Sequence, residues 1–130
     1  MNAVDTNILI RWITRDDPEQ ARRADALLAH PTFVSLTVLL ETAWVLSGRP
    51  FNFNRATRAG MLHGILETES ITVASDEGVR WAIERFAAGA DFADMIHMVA
   101  ARGATRFVSF EKELAREAGD DAPLQIAQPA

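Results

Sequence analysis

Short apolar runs alternate along the chain with longer segments in which apolar residues recur every three or four positions. The short runs predict strands because they are too brief for helices and are flanked by turn residues. The recurring pattern predicts helices with one buried face. The predicted strands are 1–5, which we expect to be buried and to end at Asp5, then 33–34, 71–73, 107–109 and, as an edge strand, 123–127. The predicted helices begin at Thr6-Asn7, Asp17-Pro18, Ser35 or Thr37, Asn54, Ser75-Asp76-Glu77, Phe92 and Glu111.

The order of these elements predicts the fold class. Strands and helices alternate, and the strands lack a strict alternation of apolar and polar residues, which is typical of a parallel sheet covered on both faces. We therefore expect an α/β fold, a three-layer α/β/α sandwich with a short, mainly parallel central sheet. Without a linker or an internal repeat, residues 1–130 should form a single domain. Disorder is expected only in roughly the last ten residues.

Composition narrows the classes of protein and of site. Hydrophobic residues make up 48% of the chain and charged residues 24%, the profile of an ordinary globular protein. The absence of cysteine excludes disulfides, thiolate zinc sites and a cysteine nucleophile, and it fits a reducing compartment. No stretch approaches the ~20 apolar residues of a membrane span, and residues 1–5 lack the features of a signal peptide. We expect a cytoplasmic protein that begins at Met1 and has no membrane partner.

The balance of charge bears on nucleic-acid binding. The net charge of −5 counts against a partner with a phosphate backbone. However, the basic residues are twelve arginines and one lysine, and the arginine fork binds phosphate in a bidentate manner. An acidic metal site would also lower the net charge without removing a basic rim, so the charge is weak evidence against RNA. The candidates for such a rim, meaning basic residues around the metal site that contact RNA, are Arg11, Arg15, Arg49, Arg55 and Arg58. A role in surface solubility explains the presence of each arginine when it is considered singly.

Two acidic residues in the first half of the chain stand alone in apolar surroundings. Asp5 ends the first strand, and ligands of open parallel sheets bind at the carboxyl ends of the strands. Capping of the following helix explains Asp5 equally well. Glu41 lies in a helix that is apolar on most of its circumference and includes Trp44, which we expect in the core. A carboxylate buried there is costly unless it binds a metal or, as the alternative, pairs with a buried arginine.

A second group of acids follows later in the chain. Asp91 and Asp94 begin a helix and share a face at its N-terminus, where the helix dipole favours negative charge. Capping explains Asp91 better than Asp94, which lies deeper among apolar residues. Glu111 follows the last clear strand, in the first turn of a predicted helix, where acidic residues are common for structural reasons.

Taken together, these carboxylates indicate a metal site. Three or four carboxylates that converge at one sheet edge repel one another and therefore require a cation. An all-oxygen ligand set without cysteine suits Mg²⁺ or Mn²⁺ and does not suit zinc. Such an ion activates water and stabilises the charge that develops on a phosphodiester. We expect a divalent-metal site centred on Asp5, Glu41 and Asp94, with phosphoryl chemistry as its function.

The acidic residues lie in four short motifs, which are Val4-Asp5-Thr6-Asn7, Leu40-Glu41-Thr42-x-Trp44-Val45-Leu46, Asp91-Phe92-Ala93-Asp94-Met95-Ile96 and Phe107-Val108-Ser109-Phe110-Glu111-Lys112-Glu113-Leu114. In these motifs the chain resembles the PIN-domain ribonucleases, and among them the VapC-type toxins of bacterial toxin–antitoxin pairs. The resemblance covers nearly the whole chain. Each motif is short, but their order and spacing together are specific.

The resemblance implies a Mg²⁺-dependent endoribonuclease, with Mn²⁺ as a substitute, that cleaves structured RNA such as tRNA by means of metal-activated water. It also implies a homodimer and a cognate antitoxin that inserts a segment, often with an arginine, into the acidic site. The catalytic residues implied are Asp5, Glu41, Asp94 and Glu111, with the first three as metal ligands, and the supporting residues are Thr6, Asn7 and Asp91. Thr6 matches the position that supports the first aspartate.

Glu111 departs from the family pattern, in which this fourth acid is usually an aspartate. Glutamate is longer by one methylene, so we expect it to reach a second metal only through water, which leaves one-metal catalysis open and gives Asp91 a compensating role. Two other functions also remain open. One is a binding module of the same fold that holds a partner's arginine in the acidic pocket, and the other is a metal-dependent DNA nuclease.

Overall fold

The computed structural model describes residues 1–130 in full, with seven helices and five short strands. The helices are α1 (Thr6–Thr14), α2 (Pro18–Leu28), α3 (Leu36–Ser47), α4 (Arg55–Glu67), α5 (Asp76–Ala87), α6 (Phe92–Ala100) and α7 (Leu114–Ala118). The strands are β1 (Asn2–Ala3), β2 (Thr32–Val34), β3 (Ile71–Val73), β4 (Arg106–Val108) and β5 (Gln125–Ala127). The chain divides into two compact units, a first unit of Met1–Asp76 and a second unit of Glu77–Ala130. None of the seven helices has the length and apolarity that a membrane crossing requires.

The first unit contains a three-stranded parallel sheet in the order β1-β2-β3. Two helices connect each strand to the next, α1 and α2 before β2, then α3 and α4 before β3. The core of this unit includes five apolar side chains without exposed surface, Leu9, Val34, Leu39, Leu46 and Leu62. The α/β class with a short parallel sheet is therefore confirmed.

The second unit contains a two-stranded parallel sheet formed by β4 and β5. Arg106 lies opposite Gln125 and Val108 lies opposite Ala127, with α7 in the connection. β5 falls within the predicted edge strand at 123–127. The same residues belong to the C-terminal segment for which we also expected disorder, and the strand matches the first of these two interpretations.

Polar side chains begin most of the helices where the sequence predicts. In each case an oxygen of the capping residue accepts a hydrogen bond from a backbone amide three residues later, which satisfies one of the free N–H groups of the first turn. The capping residues are Asp5 for α1, Asp17 for α2, Ser35 for α3, Asn54 for α4 and Asp91 for α6.

Two predicted elements need correction. The first strand is not buried: Asn2 and Ala3 of β1 are exposed, because β1 lies at the edge of its sheet and pairs only with β2. The last helix begins at Leu114 and not at Glu111. The backbone amide of Glu111 donates to the Ser109 hydroxyl over 3.0 Å, and that of Glu113 donates to the Glu111 carboxylate over 3.3 Å. These side-chain acceptors satisfy the amides locally and favour a turn over a helix.

The predicted burial of Glu41 and Trp44 is wrong. Both residues lie on an exposed stripe of α3, and the Trp44 side chain is 74% exposed. The opposite face of α3, which includes Leu39 and Leu46, is the buried one and packs against α1 and α4. An apolar composition around a whole helix does not reveal which face the neighbouring elements cover, since that depends on their positions in space.

Candidate metal centre

The first unit holds two of the predicted ligands, Asp5 and Glu41. Asp5 follows β1 and caps α1, and its Oδ1 accepts a hydrogen bond from the Ile8 amide over 3.1 Å. The buried hydroxyl of Thr6, the next residue, donates to Oε1 of Glu41. Because Thr6 is bonded directly to Asp5, this hydrogen bond holds the Glu41 carboxylate at the same end of β1 as Asp5.

The supporting residues of the first unit differ from the expectation in one respect. The resemblance implies that Thr6 supports the first aspartate, whereas its hydroxyl donates to Glu41, 35 positions along the chain. The capping interpretation of Asp5 is confirmed, and it uses one carboxylate oxygen. Asn7 is exposed in the first turn of α1 and lines a cleft next to Asp5. Glu41 therefore has a hydroxyl partner in place of the arginine that the alternative interpretation required.

The second unit holds the other three acids. Asp91 caps α6, where its Oδ2 accepts a hydrogen bond from the Asp94 amide over 3.0 Å. Partial burial raises the pKa of Asp94, the Asp91 carboxylate raises it further, His97 opposes the rise and Glu111 adds to it. Asp91, Asp94 and Glu111 are thus close enough to interact, and negative charge at Asp94 is disfavoured by its surroundings.

The side chains of the predicted site are of the chemical type that binds a hard divalent cation. Within neither unit do three His, Asp or Glu side chains converge at a point where they could hold a metal ion. The predicted ligands come from both units, with Asp5 and Glu41 in the first and Asp94 in the second. All of them are carboxylates, which Mg²⁺ and Mn²⁺ prefer. A cation would also relieve the repulsion between Asp94 and its acidic neighbours.

A cleft of about 700 Å³ adjoins Asp5 in the first unit. It lies between α1 and α2, and Arg11 and Arg23 both line it. Arg11 was among the rim candidates from the sequence, but Arg23 was not. Arg23 belongs to a face of α2 with Gln20, Ala24 and Leu27 at helical spacing. The helical spacing of these residues is visible in the sequence, but the sequence does not show that α1 lies opposite this face of α2.

A match to a known protein family identifies the family of this chain. Residues 3–119, which include all of the predicted site residues, match the PIN domain family. The chain belongs to the PIN domain family. The match spans both units, and the mixed helix and strand content with a short parallel sheet is consistent with the α/β/α fold of PIN domains. None of the curated proteins with which we compared the chain matches it.

Membership of the family defines the kind of activity. PIN domains are generally nucleases, a class of hydrolase, and they typically use divalent metal ions. The family therefore indicates a nuclease-type function for this PIN domain. The resemblance seen in the sequence is confirmed at this level.

Proposed function

We propose that this PIN domain is a metal-dependent endoribonuclease in which Asp5, Glu41 and Asp94 hold a Mg²⁺ ion, with Mn²⁺ as a substitute. The observation that carries the proposal is the hydrogen bond from Thr6 to Glu41, directly beside Asp5, in a chain of a nuclease family. A helix-capping aspartate needs no second carboxylate next to it. Two carboxylates oriented at one end of β1 are suited to binding a cation.

The roles of the side chains follow from their contacts. The Ile8 amide orients the Asp5 carboxylate, and the Thr6 hydroxyl orients that of Glu41. Asp91 is a positioning residue, because one of its oxygens is bound to the Asp94 amide and its charge acts on Asp94. The bound ion would supply charge neutralisation at the phosphodiester and activation of the attacking water.

Glu111 has a supporting role in this proposal. It is exposed, it lies in a turn and not in a helix, and its Oε1 accepts a hydrogen bond from the Glu113 amide. The negative charge of Glu111 interacts with Asp94 and adds to the rise in the pKa of Asp94. These features support catalysis with one ion held by three carboxylates and assisted by Glu111.

The proposed substrate is structured RNA of the tRNA type, and the proposed biological role is that of a cytoplasmic toxin in a type II toxin–antitoxin pair. The support for this role is the resemblance of the four motifs to VapC-type toxins. In this role the protein is a homodimer, and its cognate antitoxin places an arginine among the acids. Light scattering of the purified chain, alone and with the product of the neighbouring gene, measures both associations.

Incubation with total tRNA in Mg²⁺ tests the enzymatic proposal. Asp5→Asn and Asp94→Asn should each abolish cleavage, with circular dichroism unchanged, because each removes a proposed ligand. Asp120→Asn is the matched control, since it makes the same chemical change at an exposed carboxylate that is neither a proposed ligand nor part of the cleft beside Asp5. Cleavage retained in both ligand variants would contradict the proposal.

The same experiment separates the other functions. Single-stranded DNA at matched salt is the comparison substrate, because affinity for nucleic acids depends steeply on salt. Faster cleavage of DNA than of RNA would identify a DNA nuclease. Absence of cleavage from a broad panel, together with binding of an arginine-bearing peptide, would identify a binding module.

A further inference from the structure

The cleft between α1 and α2 has a defined lining. Five of its residues are polar or charged, namely Asp5, Asn7, Arg11, Gln20 and Arg23, and the others are apolar, among them Ile8, Ala24 and Leu27. Its volume of about 700 Å³ is in the range of sites that bind small ligands or parts of larger ones. Asp5 belongs to both the cleft and the proposed metal site, so a strand bound at Asp5 can continue into the cleft.

The walls of the cleft are held in place by contacts between its two helices. The Nε of Arg11 on α1 donates to Oε1 of Gln20 on α2 over 2.9 Å. Beyond the end of α1, Arg15 makes two hydrogen bonds to the Asp25 carboxylate on α2, over 2.9 and 2.6 Å. A cleft whose walls are already fixed loses little conformational entropy when a ligand binds.

The two arginines of the cleft differ in their charge balance. Arg11 forms an ion pair with Asp16 at 2.8 Å, which offsets its charge. Arg23 is exposed and has no ion-pair or hydrogen-bond partner in the chain. An unpaired guanidinium in a cleft that is also lined by apolar side chains matches the chemistry of a nucleotide, which combines an anionic phosphate with the apolar faces of a base and a ribose.

We propose that this cleft is a subsite for the RNA strand adjacent to the scissile phosphate, with Arg23 bound to a backbone phosphate. The apolar residues of the lining contact the neighbouring ribose or base. This inference rests on the proposed ribonuclease function and adds the part of the domain that holds the substrate. The chain has a net charge of −5, and in this inference a single residue, Arg23, supplies the positive charge that contacts the RNA backbone.

Arg23→Gln tests the subsite, with Arg22→Gln as its matched control. Both variants remove one positive charge from α2, but Arg22 does not line the cleft and lies 4.0 Å from Glu19 on the same helix. RNA affinity is measured by fluorescence anisotropy with a labelled tRNA-like hairpin in the Asp94→Asn background, which prevents cleavage during the measurement. A series of salt concentrations is included, since the slope of log K against log salt counts phosphate contacts.

The subsite predicts different results for the two arginines. Arg23→Gln should weaken RNA binding by about three- to tenfold and reduce the salt slope by about 0.7 to 0.9, as expected for the loss of one phosphate contact. In the protein with Asp94 intact, it should raise the KM for cleavage and leave kcat unchanged. Arg22→Gln should leave affinity, slope and KM as they are.

Equal affinities of the Arg22 and Arg23 variants would overturn the subsite and leave the ribonuclease function standing, provided that the protein with both arginines cleaves RNA. In that case a polypeptide segment becomes the occupant to seek in the cleft. Absence of both RNA cleavage and RNA binding in the unaltered protein would overturn the subsite together with the proposed function. The cleavage assay therefore distinguishes the two failures.

Discussion

At the scale of single residues, a buried threonine hydroxyl decides where the Glu41 carboxylate lies. Thr6 is only 6% exposed, and its hydroxyl donates to Glu41. A buried hydroxyl needs a hydrogen-bond partner, so the contact satisfies Thr6 and restricts the rotamers of Glu41 at the same time. An exposed glutamate without this contact would sample many positions, which would make it less suited to the metal-binding role proposed for Glu41.

Thr6→Val removes the hydroxyl and keeps the shape of the side chain. We expect RNA cleavage to fall by about 10- to 100-fold, the usual effect of losing a residue that orients a metal ligand. The Mg²⁺ concentration for half-maximal activity should rise, which a purely structural role of Thr6 would not cause. Thr6→Ser retains the donor and should recover most of the activity. Equal activity of the valine and serine variants would contradict the positioning role.

At the scale of elements, a glycine sets the close packing of α5 against α6. A Cβ atom at Gly78 would lie 2.9 Å from Cγ1 of Val99, which is closer than such atoms can approach. Val99 is only 2% exposed, and its β-branched side chain has one strongly preferred rotamer in a helix. The two helices therefore cannot keep their separation if position 78 carries a larger residue.

Gly78→Ala should lower the free energy of unfolding, because the overlap with Val99 outweighs the gain in helix propensity. We expect a loss of about 1–3 kcal/mol in urea denaturation, the usual cost of overpacking. Gly60→Ala is the matched control on α4, where an added Cβ meets nothing within 4 Å. That variant should be more stable by about 0.5–1 kcal/mol. Stabilisation of both variants would show that α5 and α6 can separate without cost.

At the scale of the whole molecule, each compact unit carries part of the acidic set. The first unit orients Asp5 and Glu41 through contacts of its own, and the second unit gathers Asp91, Asp94 and Glu111. Neither unit alone groups three potential ligands for a metal ion. A metal ion that binds only the folded chain stabilises that chain against unfolding.

Thermal unfolding with and without Mg²⁺ measures this coupling without any substrate. At a Mg²⁺ concentration ten times its Kd, binding should add about 1.4 kcal/mol to the free energy of unfolding. The Tm should then rise by roughly 3 to 6 °C for a chain of this size. Asp5→Asn and Asp94→Asn should each abolish the rise, whereas Asp120→Asn should preserve it. A rise that survives Asp5→Asn would place the ion outside the proposed ligand set.

The sequence by itself determined the local features of this protein. Helix starts such as those at Asp17 and Asn54 depend on hydrogen bonds that span only three residues, so the spacing of residue types is enough to predict them. The α/β class follows from the alternation of short apolar runs with amphipathic segments. The resemblance of the acidic motifs to a nuclease family also needs no structure, because it depends on residue types and their order.

The tertiary structure alone decided which faces are covered and which distant residues meet. In the folded chain Glu41 and Trp44 lie on the exposed side of α3, and the Thr6 hydroxyl donates a hydrogen bond to Glu41. Arg23 lies in the cleft between α1 and α2. The tertiary structure also holds Glu111 in a turn before the last helix. The physical reason is that burial and partnership across tens of residues depend on how elements pack in space, and the periodicity of a single segment carries no information about its neighbours.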